Sequence, residues 1–278
     1  MDTYTVEEYQ GIRFYHSVDE HPAPDVFSRH CHVHYEIIYV VRGAGKYVVE
    51  GERYDLRPAT LMVFRPGEFH YVDVRREEAY ERYVFHFSTD GIPEVAEALK
   101  KLSKKPLGEG NFYAAADLPM TAVHIFEHFE QLATFPKDAA DTMAHFLLSE
   151  LVMILSLASP AAHKPRREEP LGARVIRYVN AHIAEPLSLD TIANEFYVSK
   201  YYLCRAFKKH NGISILGYIN GKRVMMARQM IESGEVAALV CERVGFSDYS
   251  TFYRAYKKAY GQAPTVARAG ATVRGGRA

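Results

Sequence analysis

Between residues 30 and 36 the chain places His30, His32, His34 and Glu36 at every second position. Side chains alternate faces along an extended strand, so all four are expected to project from one side. Imidazoles and a carboxylate converging in this way suit a divalent metal ion, or they hydrogen-bond a small polar molecule. His70, beyond the Pro66-Gly67 turn, is the candidate to complete the metal set His30, His32, Glu36 and His70. Such a set with open positions would suit Fe, Mn, Ni or Zn, and the sequence does not choose among them. Cys31 alternates to the opposite face and reads as packing. His124, His128 and His145 fall in helical patterns and are assigned no chemistry.

A second group of chemistry-bearing residues lies in the back third. Residues 205–212, RAFKKHNG, recur at 254–261 as RAYKKAYG, an offset of 49. Arg205 and Arg254 carry the planar fork that bonds guanine O6 and N7 bidentately. Lys208, Lys209, Lys257 and Lys258 are suited to phosphate charge.

These residues need elements to hold them. Residues 26–88 contain short alternating runs rich in Tyr, Val, Ile and Phe (YEIIYVV, GKYVVEGERYDL, ATLMVFRP, ERYVFHF), broken by Arg42-Gly43 and Pro66-Gly67. That pattern predicts antiparallel strands of a sandwich or barrel. From about Ile92 the period becomes helical, with longer helices expected over 117–133 and 138–158. In the second, Met143, Phe146, Leu147, Glu150, Leu151, Ile154 and Leu155 are expected to form nearly one stripe, suited to packing within the chain or against a second subunit. SPAAHKPRREEP, residues 159–170, reads as a linker. Breakers divide 172–268 into about seven expected helices.

Each repeat unit is expected to be a helix, a turn and a second helix. Ser199 and Asp248 are the expected N-caps, with Val198 and Phe246 as apolar staples outside them. Leu203, Ala206 and Phe207 face inward, while Lys200, Tyr201, Cys204, Arg205 and Lys208 line the opposite face. In the second copy Phe252, Ala255 and Tyr256 face inward, and Tyr249, Ser250, Tyr253, Arg254 and Lys257 face out. A helix-turn-helix needs this arrangement, because its second helix offers its N-terminal turns to the major groove.

Composition sets the outer limits. The chain has 278 residues, 48% hydrophobic and 24% charged, which excludes collagen-like, disordered and disulfide-scaffold classes. Residues 1–163 carry 15 basic and 25 acidic side chains, whereas residues 164–278 carry 19 and 9. Net charge is zero, but the asymmetry makes the back part the one suited to a polyanion. Three scattered cysteines, Cys31, Cys204 and Cys241, fit a reducing cytoplasm. The start, MDTYTVEEYQ, lacks the apolar core of a signal peptide. The apolar run 146–158 is expected to be too short to cross a bilayer.

The stretch VCERVGFSDYSTFYRAYKKAYGQAP resembles the signature of the AraC family of bacterial transcription regulators, and IANEFYVSKYYLCRAFKKHNGIS resembles that family's first helix-turn-helix. The match covers about residues 172–268, with GKRVMMARQMI and Ala263-Pro264 in order; Cys241 and Ala237 depart from the family's usual Ala and Ile. The resemblance implies two recognition helices in successive major grooves, roughly 34 Å apart. It places Tyr201, Cys204 and Arg205, then Tyr249, Ser250, Tyr253 and Arg254, at the bases, with Ser199, Lys200, Lys208 and Lys257 beside them. His30-x-His32-x3-Glu36-x6-Gly43 is similar to the first cupin motif in full, and Gly67-x2-His70 resembles the second. Ala59 stands where that second motif begins with Gly, and Pro66 is one residue from its usual place.

The expected protein is therefore a two-domain α+β chain. A cupin-like antiparallel barrel over 1–116 would bind a small-molecule effector through His30, His32, His34, Glu36 and His70; a sugar is permitted but not indicated. Helices over 117–158 would pair two subunits, 159–170 would link, 171–268 would be an all-α domain with two helix-turn-helix units, and 269–278 a flexible tail. It is expected to be a cytoplasmic, homodimeric, non-enzymatic regulator of a double-stranded DNA operator, with RNA polymerase a further partner and no membrane association. No cofactor is required by this reading, although a divalent metal fits the barrel. The competing expectation is a metal-dependent cupin enzyme with an accessory nucleic-acid-binding domain.

Overall fold

The computed structural model describes residues 3–22, 29–89, 92–160 and 169–265. The expected tail 269–278 and most of the expected linker, residues 161–168, lie outside them. The described chain forms two compact units: residues 3–22 with 34–160, and Arg29–Val33 with 169–265.

The first unit is built from nine strands: β1 (Thr3–Tyr9), β2 (Ile12–Asp19), β3 (Tyr35–Arg42), β4 (Gly45–Val49), β5 (Glu52–Leu56), β6 (Thr60–Phe64), β7 (His70–Val74), β8 (Tyr80–Phe87) and β9 (Phe112–Ala114). Every pairing is antiparallel. The expected barrel is realised as two sheets, β1-β2-β8-β3-β6-β9 and β5-β4-β7. The β1–β2 hairpin was not legible in the opening residues. It turns at Gln10-Gly11, both at positive φ, and its first strand exposes Tyr4 and Val6, which blurs the alternation.

β3 is buried along both faces. Ile38 and Val40 join Tyr47, Tyr54, Met62, Phe64, Val72 and Val84 in a core drawn from both sheets. Ile37 and Tyr39 face a second core shared with α1 (Ala96–Leu102), α2 (Val123–Gln131) and α3 (Lys137–Leu157). There Phe126 stacks on Tyr39 with ring centroids 4.8 Å apart. The period-two phase of β3 thus assigns Glu36 to the inter-sheet side, in step with Ile38 and Val40.

The helix expected over 117–133 is shorter and has 3-10 turns at 115–117 and 132–134. α3 runs 21 residues, one residue earlier at each end than expected. By length and composition alone the whole helix, longer than the apolar run 146–158, would suffice to cross a membrane. However, Ala140, Ala144, Leu148, Leu151, Val152 and Leu155 are buried in the second core. The expected single stripe is divided. Leu151, Ile154 and Leu155 are buried, whereas Met143 and Phe146 join Met153 and Leu157 among the exposed apolar side chains. Positions 143 to 155 span too wide an arc to lie on one face.

The second unit contains six α-helices among the described residues, one fewer than expected: α4 (Leu171–Ala181), α5 (Leu189–Glu195), α6 (Lys200–Asn211), α7 (Ile215–Glu232), α8 (Ala237–Arg243) and α9 (Tyr249–Tyr260). Gly217 and Gly221 do not break α7, which is continuous. α4 packs closely on α6: a Cβ on Gly172 would lie 2.5 Å from the His210 Cβ. α7 lends Val224, Ala227 and Ile231 to a core with Val240, Cys241, Val244, Phe246, Phe252 and Tyr256. Cys241 is therefore a buried packing residue, and burial raises its thiol pKa.

Candidate DNA interface and candidate ligand site

The two repeats, α5–α6 and α8–α9, begin their second helices alike. The Ser199 side chain accepts from the Tyr202 amide at 3.2 Å, and Asp248 accepts from the Thr251 amide at 2.7 Å. Both helices end at a left-handed glycine, Gly212 and Gly261. In the turns, Tyr197 and Gly245 take the same positive-φ place. The next amides, Val198 and Phe246, donate to Ala193 and Cys241 carbonyls at 3.0 and 3.1 Å. The second turn then carries one extra residue, Ser247, which explains why the repeat offset is 48 before the cap and 49 after it.

Leu203, Phe207, Phe252 and Tyr256 are buried as expected, and Ala206 and Ala255 are half-buried. Lys200, Tyr201, Arg205, Lys208, Tyr249, Ser250, Tyr253, Arg254 and Lys257 are exposed, and Cys204 is half-buried. Lys200 Nζ lies 3.0 Å from Asp190, an exposed pair of small energetic weight. Arg254 donates to Thr251 Oγ1 at 3.3 Å. One residue missed from the sequence ties the segment after α4 to the turn of the second repeat. Arg223 on α7 is buried and donates to the Ile183 and Glu185 carbonyls at 2.9 and 2.6 Å, and its guanidinium lies over Phe246. Its position within a helical KR pair gave no hint of burial.

In the first unit the expected one-strand array is corrected. β3 begins at Tyr35, so His30, His32 and His34 precede the strand and have no common pleat with Glu36. His30 and His32, in Arg29–Val33, have ring centroids 5.7 Å apart. His34 is exposed, its ring 6.4 Å from that of His86. Within the first unit Glu36 and His70 are neighbours: His70 Nε2 is 2.9 Å from Glu36 Oε2, and both are buried.

The other carboxylate oxygen of Glu36 is met by His86 Nε2 at 3.1 Å. His86 was missed, although its strand was recognised. Glu36 and His86 are direct cross-strand partners on β3 and β8, while His70 comes from the opposite sheet. The signal available was the phase of ERYVFHF, which puts His86 in step with Val84.

Several contacts hold His70 in place. Its Nδ1 lies 2.8 Å from the Glu68 carbonyl, and its ring stacks on Phe64 with centroids 4.1 Å apart. The Glu68 carboxylate is itself pinned by Arg65, by the Gly108 amide at 2.9 Å and by Asn111 Nδ2 at 2.6 Å. Burial opposes a charge on His70, but the Glu36 carboxylate and the Glu68 carbonyl outweigh it and raise the pKa. Ala59, standing where the motif has glycine, adopts the left-handed conformation with φ 55°.

The same inter-sheet side carries a further polar group. Arg82 pairs with Asp19 at 2.5 Å and lies over the Tyr80 ring, and the Tyr80 and Tyr47 hydroxyls meet. Burial pushes the Tyr80 hydroxyl pKa up to about 12.

A sheet-built unit with an ionisable interior, joined to a helical unit with two capped helix-turn-helix repeats, defines a ligand-binding regulator of DNA. An AraC-like ligand binding domain matches residues 18–151, and a helix-turn-helix domain matches residues 192–270. The chain belongs to the AraC family of transcriptional regulators. It is 25% identical over 255 residues to the uncharacterized HTH-type transcriptional regulator YfiF of Bacillus subtilis, covering 86% of this chain and 78% of that one. It is 22% identical over 249 residues to the HTH-type transcriptional activator RhaS of Klebsiella pneumoniae, covering 88% of each. Among solved structures, the C-terminal domain of AraT, a response regulator from Geobacillus stearothermophilus, is 31% identical over 36% of this chain and 84% of that domain, with a TM-score of 0.34.

Proposed function

We propose that this regulator reads one DNA operator with α6 and α9 in successive major grooves. Tyr201, Cys204 and Arg205 on one helix, and Tyr249, Ser250, Tyr253 and Arg254 on the other, face base edges. Ser199, Lys200, Lys208 and Lys257 bind the phosphate backbone. The observation that carries this reading is the duplication: two capped helices expose the same arginine and lysine positions and bury the same apolar ones. A solvated basic face explains one copy but not two.

The domain plan follows the sequence reading, with an effector unit to residue 116, a pairing region over 117–158, a linker and a DNA-binding unit from 171. The effector is a small polar molecule held by Glu36 and His70, with His30, His32 and His34 added by their spacing. The chain acts by binding, without a catalytic step, as a cytoplasmic homodimer that engages RNA polymerase. The dimer is supported by Met143, Phe146, Met153 and Leu157, exposed along α3. Selection of genomic fragments by the full-length chain, followed by footprinting, tests the proposal. Two protected major-groove segments about one helical turn apart are expected. Equal affinity for a selected fragment and its scrambled version at physiological salt would overturn it.

A further inference from the structure

The two repeats of the helical unit are joined by one continuous helix, α7. Its first half serves the first repeat: Tyr218 donates to Asn180 Oδ1 of α4 at 2.9 Å, and its ring meets Phe207 of α6 edge-on. Its second half lends Val224, Ala227 and Ile231 to the core around α8 and α9. Arg223 lies where the two halves meet, and it is buried.

A buried guanidinium needs partners for its donors, and its planar fork fixes where they stand. Nε and Nη2 donate to the Ile183 and Glu185 carbonyls, at 2.9 and 2.6 Å, in the connection between α4 and α5. The face of the same plane lies over Phe246, 5.8 Å from the ring centroid. Phe246 packs on Phe252 of α9 with centroids 5.4 Å apart. Gly245 closes the junction, because a Cβ there would lie 2.8 Å from Nη2 and 2.9 Å from the Ala184 carbonyl. One side chain therefore holds the segment leading into the first helix-turn-helix against the turn of the second. Lysine offers no planar fork to keep two carbonyls and a ring face in fixed directions.

Successive major grooves set a strict geometry. Helices one turn apart are separated by about 34 Å and about 10 base pairs, so an error of one base pair is about 3.4 Å and about 34° of rotation. Hydrogen bonds to base edges do not survive that displacement.

We propose that Arg223 is a positioning residue that, without touching DNA, fixes the distance and phase between α6 and α9 and so determines which half-site spacing the protein accepts. The proposal rests on the reading of α6 and α9 as recognition helices.

The test uses the full-length chain and a genomic fragment that it selects. The fragment is rebuilt with one base pair removed or added between the two protected segments, and each segment is also prepared alone. The wild type should lose at least about 10-fold in affinity at either altered spacing. Arg223→Lys should bind each isolated segment within about 2-fold of the wild type, yet discriminate among spacings by less than about 3-fold. Its salt slope should be unchanged, because no phosphate contact is lost. Gly245→Ala crowds the guanidinium from the other side and should broaden the spacing preference in the same way; it carries the test should Arg223→Lys not fold in thermal melts. A sharp spacing preference retained in a folded variant overturns the proposal. So do equal losses on isolated segments and on every spacing, which mark a purely structural role, and so does a wild type that accepts all spacings alike. A wild type with no preference between the selected fragment and its scrambled version defeats the recognition-helix reading instead.

Discussion

Tyr197 and Gly245 occupy one position of a duplicated turn and differ in what surrounds them. Tyr197 holds φ 53° with its side chain 95% exposed, so the ring packs on little that repays the left-handed strain. That strain is about 1–2 kcal/mol, partly offset because glycine loses more chain entropy on folding. Tyr197→Gly should therefore raise stability by about 0.5 kcal/mol in denaturant melts. Gly245→Ala should lower it by about 2 kcal/mol or more, since its Cβ would lie 2.8 Å from Arg223 Nη2 and 2.9 Å from the Ala184 carbonyl. DNA readout is also a residue-scale matter. Arg205→Ala or Arg254→Ala should cost about 1–3 kcal/mol and relax preference at one base position. Lys257→Ala should weaken all sequences alike and reduce the salt slope by about one. Competition binding at several salt concentrations separates the two. The arginines were legible from the sequence because a repeat reveals which positions stay outside. Arg223 was not, since nothing local distinguishes a buried helical arginine from a solvated one.

At the scale of elements, caps and phase were the readable features. Ser199 and Asp248 were recognisable because a cap needs only its own side chain and the next turn. Asp248 also confers a pH dependence. The Thr251 amide bond, with Thr251 Oγ1 and Arg254 nearby, lowers its pKa. A depressed carboxyl stabilises the fold fully above its unfolded pKa, near 4, and the contribution disappears as pH falls through the lower folded value. Thermal melts from pH 5 to 2 should show this loss in the wild type and a smaller one in Asp248→Asn, which retains a capping oxygen that does not titrate. Strand phase placed Glu36 and the histidines on one side, but it did not show where β3 starts. His30, His32 and His34 lie before the strand because regular pairing begins only at Tyr35. In α3 the periodicity found an apolar helix without telling its buried side from its exposed one.

For the whole molecule, ligand control requires that the effector bind one arrangement better than another. A coupling of about 1–3 kcal/mol, or 5- to 150-fold in operator affinity, is the expected scale. The proposed pairing of subunits is checked by Phe146→Glu, which places a charge at a 71% exposed position on α3. Sedimentation should show monomer at concentrations where the wild type is dimeric, with the helical spectrum unchanged. Sequence alone determined the acidic sheet-forming front, the basic helical back, the duplicated recognition helices and the paired interest of Glu36 and His70. Those features rest on composition, periodicity, repetition and caps, which act within a few residues or recur along the chain. Tertiary structure decided that His86 meets Glu36, that the Glu68 carbonyl orients His70, and which side of α3 is buried. These depend on strand register, sheet packing and contacts between residues distant in the chain, which no local pattern encodes.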